Sequence, residues 1–329
     1  EDSAGSLMTT EFIRLRRGTT VAGAFDVIRK KGDDSETINV SYVTDEERHL
    51  IGYVTIRTLV LEKDPYTLIG DIMEPNVISA MTTDDKESVV QRMSKYDFDT
   101  MPVVDAENRL VGIITFDDAI DVIEEEATED IEKMAAITPS DRPYLRTGIF
   151  DIWKSRIPWL MILMLSSTFT GMIISSFEDA LAACVVLTAF IPMLMGTGGN
   201  CSNQTSATVI RGLSLQEIEF RDVFKVMWKE ARVGLLAGAA LAAVSFIKVL
   251  LFDGMLLGNP EVTPMVSAVI SLTLVLTVFC SKIVGAFMPL FAKKVGADPA
   301  VMASPFITTV VDALSLVIYF GFATVLLGI

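Results

Sequence analysis

The chain has 329 residues, of which 51% are hydrophobic, and its mean hydropathy is positive, so an ordinary soluble domain is excluded. Its formal net charge of −15 lies in residues 1–154, which hold 32 acidic and 17 basic residues, whereas residues 155–329 hold 10 of each. An acidic half followed by a neutral, apolar half predicts a multi-domain membrane protein, and it excludes a nucleic-acid partner, which requires basic surface.

The acidic half contains an internal repeat. Residues 43–60 (VTDEERHLIGYVTIRTLV) align with residues 103–120 (VVDAENRLVGIITFDDAI) at a constant offset of 60, so that Gly52 matches Gly112. Alternating apolar residues around a polar turn predict a β-hairpin in each copy. Two such α+β units are expected to pack together, because neither buries its apolar face alone. Helical patterns precede the two hairpins at residues 19–31 and 84–96.

The repeat resembles a tandem pair of CBS domains, or Bateman module, in its hairpin, its glycine and the closing Thr-x-Asp/Arg segment. CBS pairs are regulatory and often bind adenosine nucleotides or cations, so the resemblance implies ATP as a possible ligand. A small α+β domain without a ligand is the alternative. The expected boundaries are 1–8 for the end of a missing upstream domain, 9–68 for the first CBS domain and 69–122 for the second.

An acidic helix is predicted at residues 116–137, where an apolar stripe is accompanied by nine carboxylates and one lysine, Lys133. Like charges three or four residues apart repel by a few tenths of a kcal/mol per pair. A divalent cation would relieve this repulsion, and a solvated acidic face is the alternative. We expect residues 123–154 to form an acidic connecting, or plug, region.

Five apolar segments follow, each long enough to cross a bilayer of about 30 Å. Lysine and arginine lie before the first segment and in the links that follow the second and the fourth, whereas the other links carry only acidic residues. Because positive charge marks the cytoplasmic side, the N-terminal half is expected in the cytoplasm and the C-terminus outside the plasma or inner membrane. The predicted spans of this all-α domain (155–329) are 156–177, 180–211, 233–252, 265–291 and 304–327.

Asp312 is the only carboxylate within these predicted spans. An ionisable side chain in a membrane is costly and favours a functional role, with an internal ion pair to Lys282 as the alternative.

The second predicted span changes from apolar to small polar residues at GTGGNCSNQTSAT, residues 196–208, at a depth similar to that of Asp312. Polar residues are tolerated there where they face a protein interior or a water-filled path, so Gly196, Asn200 and Asn203 are predicted to line a pore. A tight helix–helix contact is the alternative. Pro192 is expected to kink the helix.

The segment PMLMGTGGNCSNQTSATVIRGL, residues 192–213, resembles the signature of MgtE-type magnesium channels. The acidic helix, the opening EDSAGSLM, and the run from GADPA to PFITTVVDALSLVIYF (296–320) are similar to the same family. The resemblance covers essentially the whole chain, and it places the family's N-terminal domain upstream of Glu1. It implies a homodimer in the lipid bilayer, with one pore in which two copies of Asp312 and the Thr308 carbonyl hold a hydrated Mg²⁺ ion.

The resemblance also implies gating by cytosolic Mg²⁺, bound by carboxylates that match the family's sensing positions. The function it implies is a Mg²⁺-selective channel that imports Mg²⁺ and is closed by cytosolic Mg²⁺; a carrier that exchanges a divalent cation for Na⁺ or H⁺ is the alternative. A CBS-regulated enzyme is disfavoured, because the sequence has no nucleophile–histidine pair and no nucleotide-binding loop. The implied sensing residues are Asp118, Asp121, Glu126, Glu129, Asp130 and Asp298.

Overall fold

The computed structural model describes residues 2–140, 142–301 and 304–328. The chain divides into two units, Glu1–Ala127 and Thr128–Ile329. The division falls before residue 154, where the acidic excess ends, so residues 128–154 belong to the same unit as the apolar segments.

The first unit contains two three-stranded sheets with the same topology, in which the first strand runs parallel to the second and the second antiparallel to the third. The register shifts at the same place in both hairpins, after Val43 and after Val103. This shared irregularity confirms the repeat with its offset of 60. The strands are β1 (Arg14–Arg16), β2 (Val40–Thr44), β3 (Leu50–Thr55), β4 (Ala80–Met81), β5 (Thr100–Val104) and β6 (Leu110–Thr115).

The predicted helices before each hairpin are present and begin at capping side chains. Thr20 accepts a hydrogen bond from the backbone N–H of Gly23, and Asp85 accepts one from that of Ser88. The helices of this unit are α1 (Ala4–Leu7), α2 (Val21–Lys31), α3 (Ile56–Leu61), α4 (Ile69–Ile72), α5 (Lys86–Tyr96) and α6 (Phe116–Met134), which continues past the boundary between the units.

The glycine shared by the two repeats allows another backbone segment to cross the hairpin. A Cβ atom on Gly52 would lie 3.0 Å from the carbonyl oxygen of Glu74, and one on Gly112 would lie 2.8 Å from that of Thr9. The sequence predicts that residues 1–8 end an upstream domain, but Ala4 is fully buried in the apolar core of the second repeat. The segment that leads to Thr9 therefore completes the second repeat, as the segment that leads to Glu74 completes the first.

The second unit contains five helices that are long and apolar enough to cross a membrane, among the described residues. Of these, α11 packs against three others and is the most buried, whereas α7 packs mainly against α12 and is largely exposed. The helices are α7 (Ile149–Ser176), α8 (Glu178–Ala183), α9 (Ile191–Ser214), α10 (Val223–Lys248), α11 (Pro264–Lys294) and α12 (Ser304–Leu327).

The second predicted span is not one kinked helix. The chain forms α8, a 3₁₀ segment at Val185–Phe190 and then α9, with Pro192 in the first turn of α9. Proline has no N–H to lose at that position, so the expected kink is replaced by a break before the helix.

The third spanning helix begins earlier than the predicted span. Because α10 starts at Val223, Glu230 lies inside a candidate membrane helix, which also continues into a π-helical segment at Val249–Leu256. Asp312 is therefore not the only carboxylate within a spanning helix.

Candidate functional site: an ion path along α9 and α12

Two glycines of the signature make helix contacts. A Cβ atom on Gly198 would lie 2.9 Å from both the Ser315 hydroxyl and a Val311 methyl group, and one on Gly199 would lie 3.2 Å from a Thr308 methyl group. These glycines allow α9 and α12 to approach closely, so the helix-contact alternative holds for this part of the signature.

The opposite side of α9 is open. Gly196, Asn200, Gln204 and Thr208 are all exposed, and a Cβ atom on Gly196 would meet no atom within 4 Å. Residues four apart lie on one face of a helix, so these four form a continuous line, here called the polar row. Small and amide side chains on the open face of a membrane helix require another protein surface or water opposite them.

The polar row differs in part from the pore-lining residues predicted from the sequence. Gly196 and Asn200 belong to it, but Asn203 is half-buried at its edge, and its buried side-chain oxygen accepts no hydrogen bond from the described residues. Gln204 and Thr208 belong to it and were not predicted. Their spacing of four residues from Asn200 was the signal that could have identified them.

Asp312 is half-buried on α12, one turn after Thr308, which contacts Gly199. Within the described part of the chain, its carboxylate has no hydrogen-bond or ion-pair partner. The alternative partner, Lys282, lies beside Glu230 instead, at 3.8 Å. The carboxylate of Asp312 is therefore available to an ion in the space beside α9 and α12.

A second set of charges lies within the spanning helices. Glu230 of α10 accepts a hydrogen bond from the Thr205 hydroxyl of α9 at 2.8 Å, and the Lys282 ammonium of α11 is 3.8 Å from the same oxygen. We call Thr205, Glu230 and Lys282 the buried triad. The sequence-based span boundary of 233 left Glu230 outside the predicted span, whereas the helix itself begins at Val223.

The end of α6 carries a third group of charges, all in the second unit. The Lys133 ammonium donates to Asp298 at 2.6 Å and also contacts Glu129, an arrangement we call the lysine bridge. Asp130 accepts a hydrogen bond from the Ser214 hydroxyl, at the end of α9, at 3.0 Å. Two of the predicted sensing carboxylates, Glu129 and Asp298, thus contact the Lys133 ammonium, and a third, Asp130, lies near them.

These contacts shift the pKa values of two groups. Burial raises the pKa of Asp130 above its ordinary range, and the neighbouring negative charges of Asp298 and Glu129 act in the same direction. Burial by itself would lower the pKa of Lys133, but its hydrogen bonds to Asp298 and Glu129 outweigh that effect and raise it. Lys133 is therefore charged at any physiological pH.

The remaining carboxylates that were predicted to sense Mg²⁺ lie in the first unit. Asp118 accepts a hydrogen bond from Thr115 at 2.9 Å, Asp121 is exposed, and Glu126 is 3.6 Å from the Lys86 ammonium. No group of three or more His, Cys, Asp or Glu side chains close enough to hold a metal ion occurs among the described residues.

The first unit also contains a cleft of about 460 Å³ between the two repeats. The Tyr42 hydroxyl and the Thr100 hydroxyl, one from each repeat, form a buried hydrogen bond of 2.9 Å at the cleft. The rest of the described lining is apolar, aromatic or acidic, apart from the amide of Asn76: Val40, Tyr53, Glu74, Asn76, Val77, Ile78, Asp97, Phe98, Asp99 and Pro102.

Comparisons with known proteins agree with both halves of this description. A family model described as MgtE, divalent cation transporter, matches residues 191–322, and the CBS domain model matches residues 4–63 and 69–125. The match to the first model contains the polar row, the buried triad and Asp312.

Two similar relatives are each called magnesium transporter MgtE. The relative from Thermus thermophilus is 40% identical over 327 residues, which cover 99% of this chain and 70% of the relative. The relative from Bacillus subtilis is 36% identical over 327 residues, which cover 98% of this chain and 69% of the relative.

A solved structure of the cytosolic domain of an Mg²⁺ channel MgtE in complex with ATP is 45% identical over 37% of this chain, with a TM-score of 0.36. The match covers 49% of that solved chain.

Proposed function

Because the chain belongs to the MgtE family of magnesium transporters, we propose that it is a channel that imports Mg²⁺ along the polar row and past Asp312. The observation that carries the proposal is the position of Asp312. Its carboxylate has no partner among the described residues, and it is half-buried in a spanning helix that packs on α9. An unpaired carboxylate at that depth is costly unless a cation compensates for it.

The chemistry of Mg²⁺ fits this site. The ion sheds its water reluctantly and is usually held by one or two carboxylates together with its waters. Asp312 would contact the waters of a hydrated ion, and the amide and hydroxyl groups of Asn200, Gln204 and Thr208 would hydrogen-bond those waters along the path. Selection would then follow from the size and charge of the hydrated ion.

The proposed channel is a homodimer in the cell membrane. One copy exposes the polar row, and a polar row is unfavourable against lipid. A second copy related by a two-fold axis would cover it and bring a second Asp312 to the same ion. The excess of Lys and Arg in the links after α9 and α11 orients the acidic half towards the cytoplasm.

The experiment that tests this proposal is Mg²⁺ uptake into proteoliposomes by wild type and by Asp312→Asn. We expect the variant, which loses the charge and keeps the shape, to lose nearly all uptake. Glu261→Gln is the matched control, because it makes the same change at an exposed loop position before α11 and should not alter uptake. Normal, Mg²⁺-selective uptake by Asp312→Asn would contradict the proposal.

Channel and carrier differ in what drives the ion. A channel passes unitary currents down the Mg²⁺ gradient alone, whereas a carrier exchanging for Na⁺ or H⁺ requires the opposing gradient. Recording from reconstituted wild type with and without Na⁺ and pH gradients separates the two. Uptake that stops when both gradients are removed would favour the carrier.

Closure by cytosolic Mg²⁺ would use the sensing carboxylates. Glu129, Asp130 and Asp298 are oxygen donors of the kind that Mg²⁺ prefers. Burial raises the pKa of Asp130, and the charges of Asp298 and Glu129 add to that effect, so a divalent cation near them would relieve repulsion. A bound ion shifts gating only if it binds the closed state more tightly. Replacing Asp118, Glu126 and Asp130 together by alanine is expected to weaken Mg²⁺ inhibition in patch recordings. Unchanged inhibition would contradict this mechanism.

The cleft of the first unit is proposed to bind ATP. Its aromatic lining suits a purine ring, and Asp97 and Asp99 can accept hydrogen bonds from ribose hydroxyls. The described lining has no basic side chain, so the phosphates would project out of the cleft or carry Mg²⁺. Calorimetric titration with ATP, AMP and adenosine tests this, and equal failure of all three would exclude a nucleotide.

A further inference from the structure

The buried triad joins three helices at a single carboxylate. The Lys282 side chain is 9% exposed and that of Glu230 is 17% exposed, and Thr205 of α9 is fully buried. Each of the three lies about 10 to 18 Å from the end of its helix on the side of Ser214, from a rise of about 1.5 Å per residue. By the same measure Asp312 lies about 12 Å from the start of α12, so the triad and Asp312 have similar depths.

Glycines hold the backbones around the triad in contact. A Cβ atom on Gly285 of α11 would lie 2.5 Å from the carbonyl oxygen of Ser202 of α9. One on Gly234 of α10 would lie 3.1 Å from the Cα of Phe279 and 3.3 Å from a side-chain carbon of Lys282. The triad is therefore enclosed by helix backbone on two sides, and this close packing restricts its side chains to their present contacts.

The Thr205 hydroxyl is committed to Glu230. It lies 2.8 Å from the Glu230 carboxylate and 3.3 Å from the carbonyl oxygen of Cys201, within its own helix. A hydroxyl has one proton to donate, and the shorter contact to a charged acceptor is the stronger one. The hydrogen bond of Thr205 thus links α9 to α10, while the ammonium of Lys282 in α11 balances the charge of Glu230.

Stability alone is a poor reason for this arrangement. Removing two charges from water is costly, and well-packed apolar side chains in their place are often as stable or more so. A buried ionic group that is not needed for stability can instead specify one geometry. The geometry that it would specify is the rotation of α9 about its axis. Thr205 directly follows Gln204, and adjacent helical side chains point about 100° apart, so the direction of Thr205 also fixes that of Gln204.

We propose that Glu230 and Lys282 are positioning residues that act through Thr205 to fix the rotation of α9 and so keep the polar row facing the ion path. This inference rests on the proposed function for its effect on transport, but not for its effect on the orientation of α9. Neither Glu230 nor Lys282 touches the ion.

The first test measures the orientation of α9 directly. Gln204→Cys is introduced into the full chain after Cys184, Cys201 and Cys280 have been replaced by alanine, and its labelling by a water-soluble thiol reagent is timed in proteoliposomes. Thr205→Val, which removes the hydroxyl at constant shape, should slow labelling several-fold. Thr205→Ser, which keeps the hydroxyl, should restore it. Equal labelling in the Val and Ser backgrounds would overturn the proposal.

The second test measures transport per folded protein and its preference for Mg²⁺ over Ca²⁺. Glu230→Gln leaves a buried ammonium without its counter-charge and is expected to lower Mg²⁺ uptake on the order of tenfold and to reduce the preference. Adding Lys282→Met to Glu230→Gln should recover part of both. Lys225→Met, which breaks an exposed ion pair to Asp222, is the matched control.

The outcomes separate the two proposals. If the triad variants only lower the amount of folded protein, with uptake per folded protein and ion preference unchanged, the triad is merely structural and the inference is wrong. If wild type transports no Mg²⁺, the proposed function fails, and the labelling of Gln204→Cys still decides whether the triad orients α9.

Discussion

At the scale of single residues, Lys133 lies between two of the carboxylates proposed to sense Mg²⁺. Its ammonium group lies between Glu129 and Asp298, and only about a fifth of the side chain is exposed. The lysine bridge therefore neutralises part of the charge that would attract Mg²⁺. Among the described residues of α6, it is the one basic group against many carboxylates.

Removing the lysine bridge should make the protein more sensitive to cytosolic Mg²⁺. With Lys133→Met, Glu129 and Asp298 lose their built-in cation, and each pair to a partly exposed lysine is worth up to about 1 kcal/mol. The half-inhibitory Mg²⁺ concentration is expected to fall by about threefold to tenfold. Lys95→Met, at an exposed position in α5, is the control. A rise in the half-inhibitory concentration would show that the bridge itself holds the closed state.

Gly285 illustrates how closely α9 and α11 approach. A Cβ atom there would be 2.5 Å from the Ser202 carbonyl oxygen, which is backbone and cannot move aside without moving the helix. Gly321 of α12, by contrast, has no atom within 4 Å of such a position.

This pair of glycines yields a stability prediction with its own control. Gly285→Ala is expected to lower the free energy of unfolding by about 1 to 3 kcal/mol through overpacking. Gly321→Ala should be neutral or stabilising by up to about 1 kcal/mol, since alanine favours the helix. Thermal unfolding in detergent measures both. The prediction is wrong if Gly285→Ala unfolds at the wild-type temperature.

At the scale of elements, α9 is a helix with two different faces. One face carries Gly198 and Thr205 and is buried against α11 and α12, while the other carries the polar row. Close packing explains the small residues of the first face. It does not explain the amides of the second, which are exposed and require water or a partner surface.

The two faces should respond differently to substitution. Gln204→Leu, on the polar row, is expected to reduce Mg²⁺ uptake several-fold with little change in thermal stability, because it removes hydrogen-bonding groups from the path. Val209→Ala, on the buried face, is expected to lower stability by about 1 kcal/mol or more with unchanged ion preference. Uptake assays and thermal unfolding on the same samples distinguish the faces. If both substitutions have the same effect, the assignment of faces is wrong.

At the scale of the whole molecule, the chain combines two units with separate cores. The apolar clusters of the first unit lie within residues 4–122, and those of the second within residues 186–323, among the described residues. Each unit therefore has the apolar core that an independent fold requires.

The boundary at the N-terminus can be tested on the isolated first unit. A fragment of residues 1–127 is expected to unfold cooperatively in water. A fragment of residues 9–127 should be less stable by about 2 kcal/mol or more, because it lacks the buried Ala4 and the α1 segment that covers the second repeat. Chemical denaturation followed by circular dichroism compares them. Equal stability of the two fragments would show that residues 1–8 do not stabilise the second repeat.

The sequence alone determined the features that depend on local pattern. Hydropathy located five spanning segments, a constant offset revealed the paired repeats, and the signature in α9 indicated the family, as the comparisons confirm. These features could be predicted because length, periodicity and residue type are properties of one segment at a time. Asp312 was found for the same reason, since a carboxylate in an apolar run is visible without its neighbours.

The tertiary structure decided which side chains meet. Gly198 lies in a helix contact, whereas Gly196 lies on an open face of the same helix. Lys282 pairs with Glu230 rather than with Asp312, and α1 packs on the second repeat. None of these follows from spacing along one helix, because each depends on which face a neighbouring helix covers. Burial and the choice of contact partners are properties of the packed molecule, and they distinguish the residues that line the proposed path from those that support it.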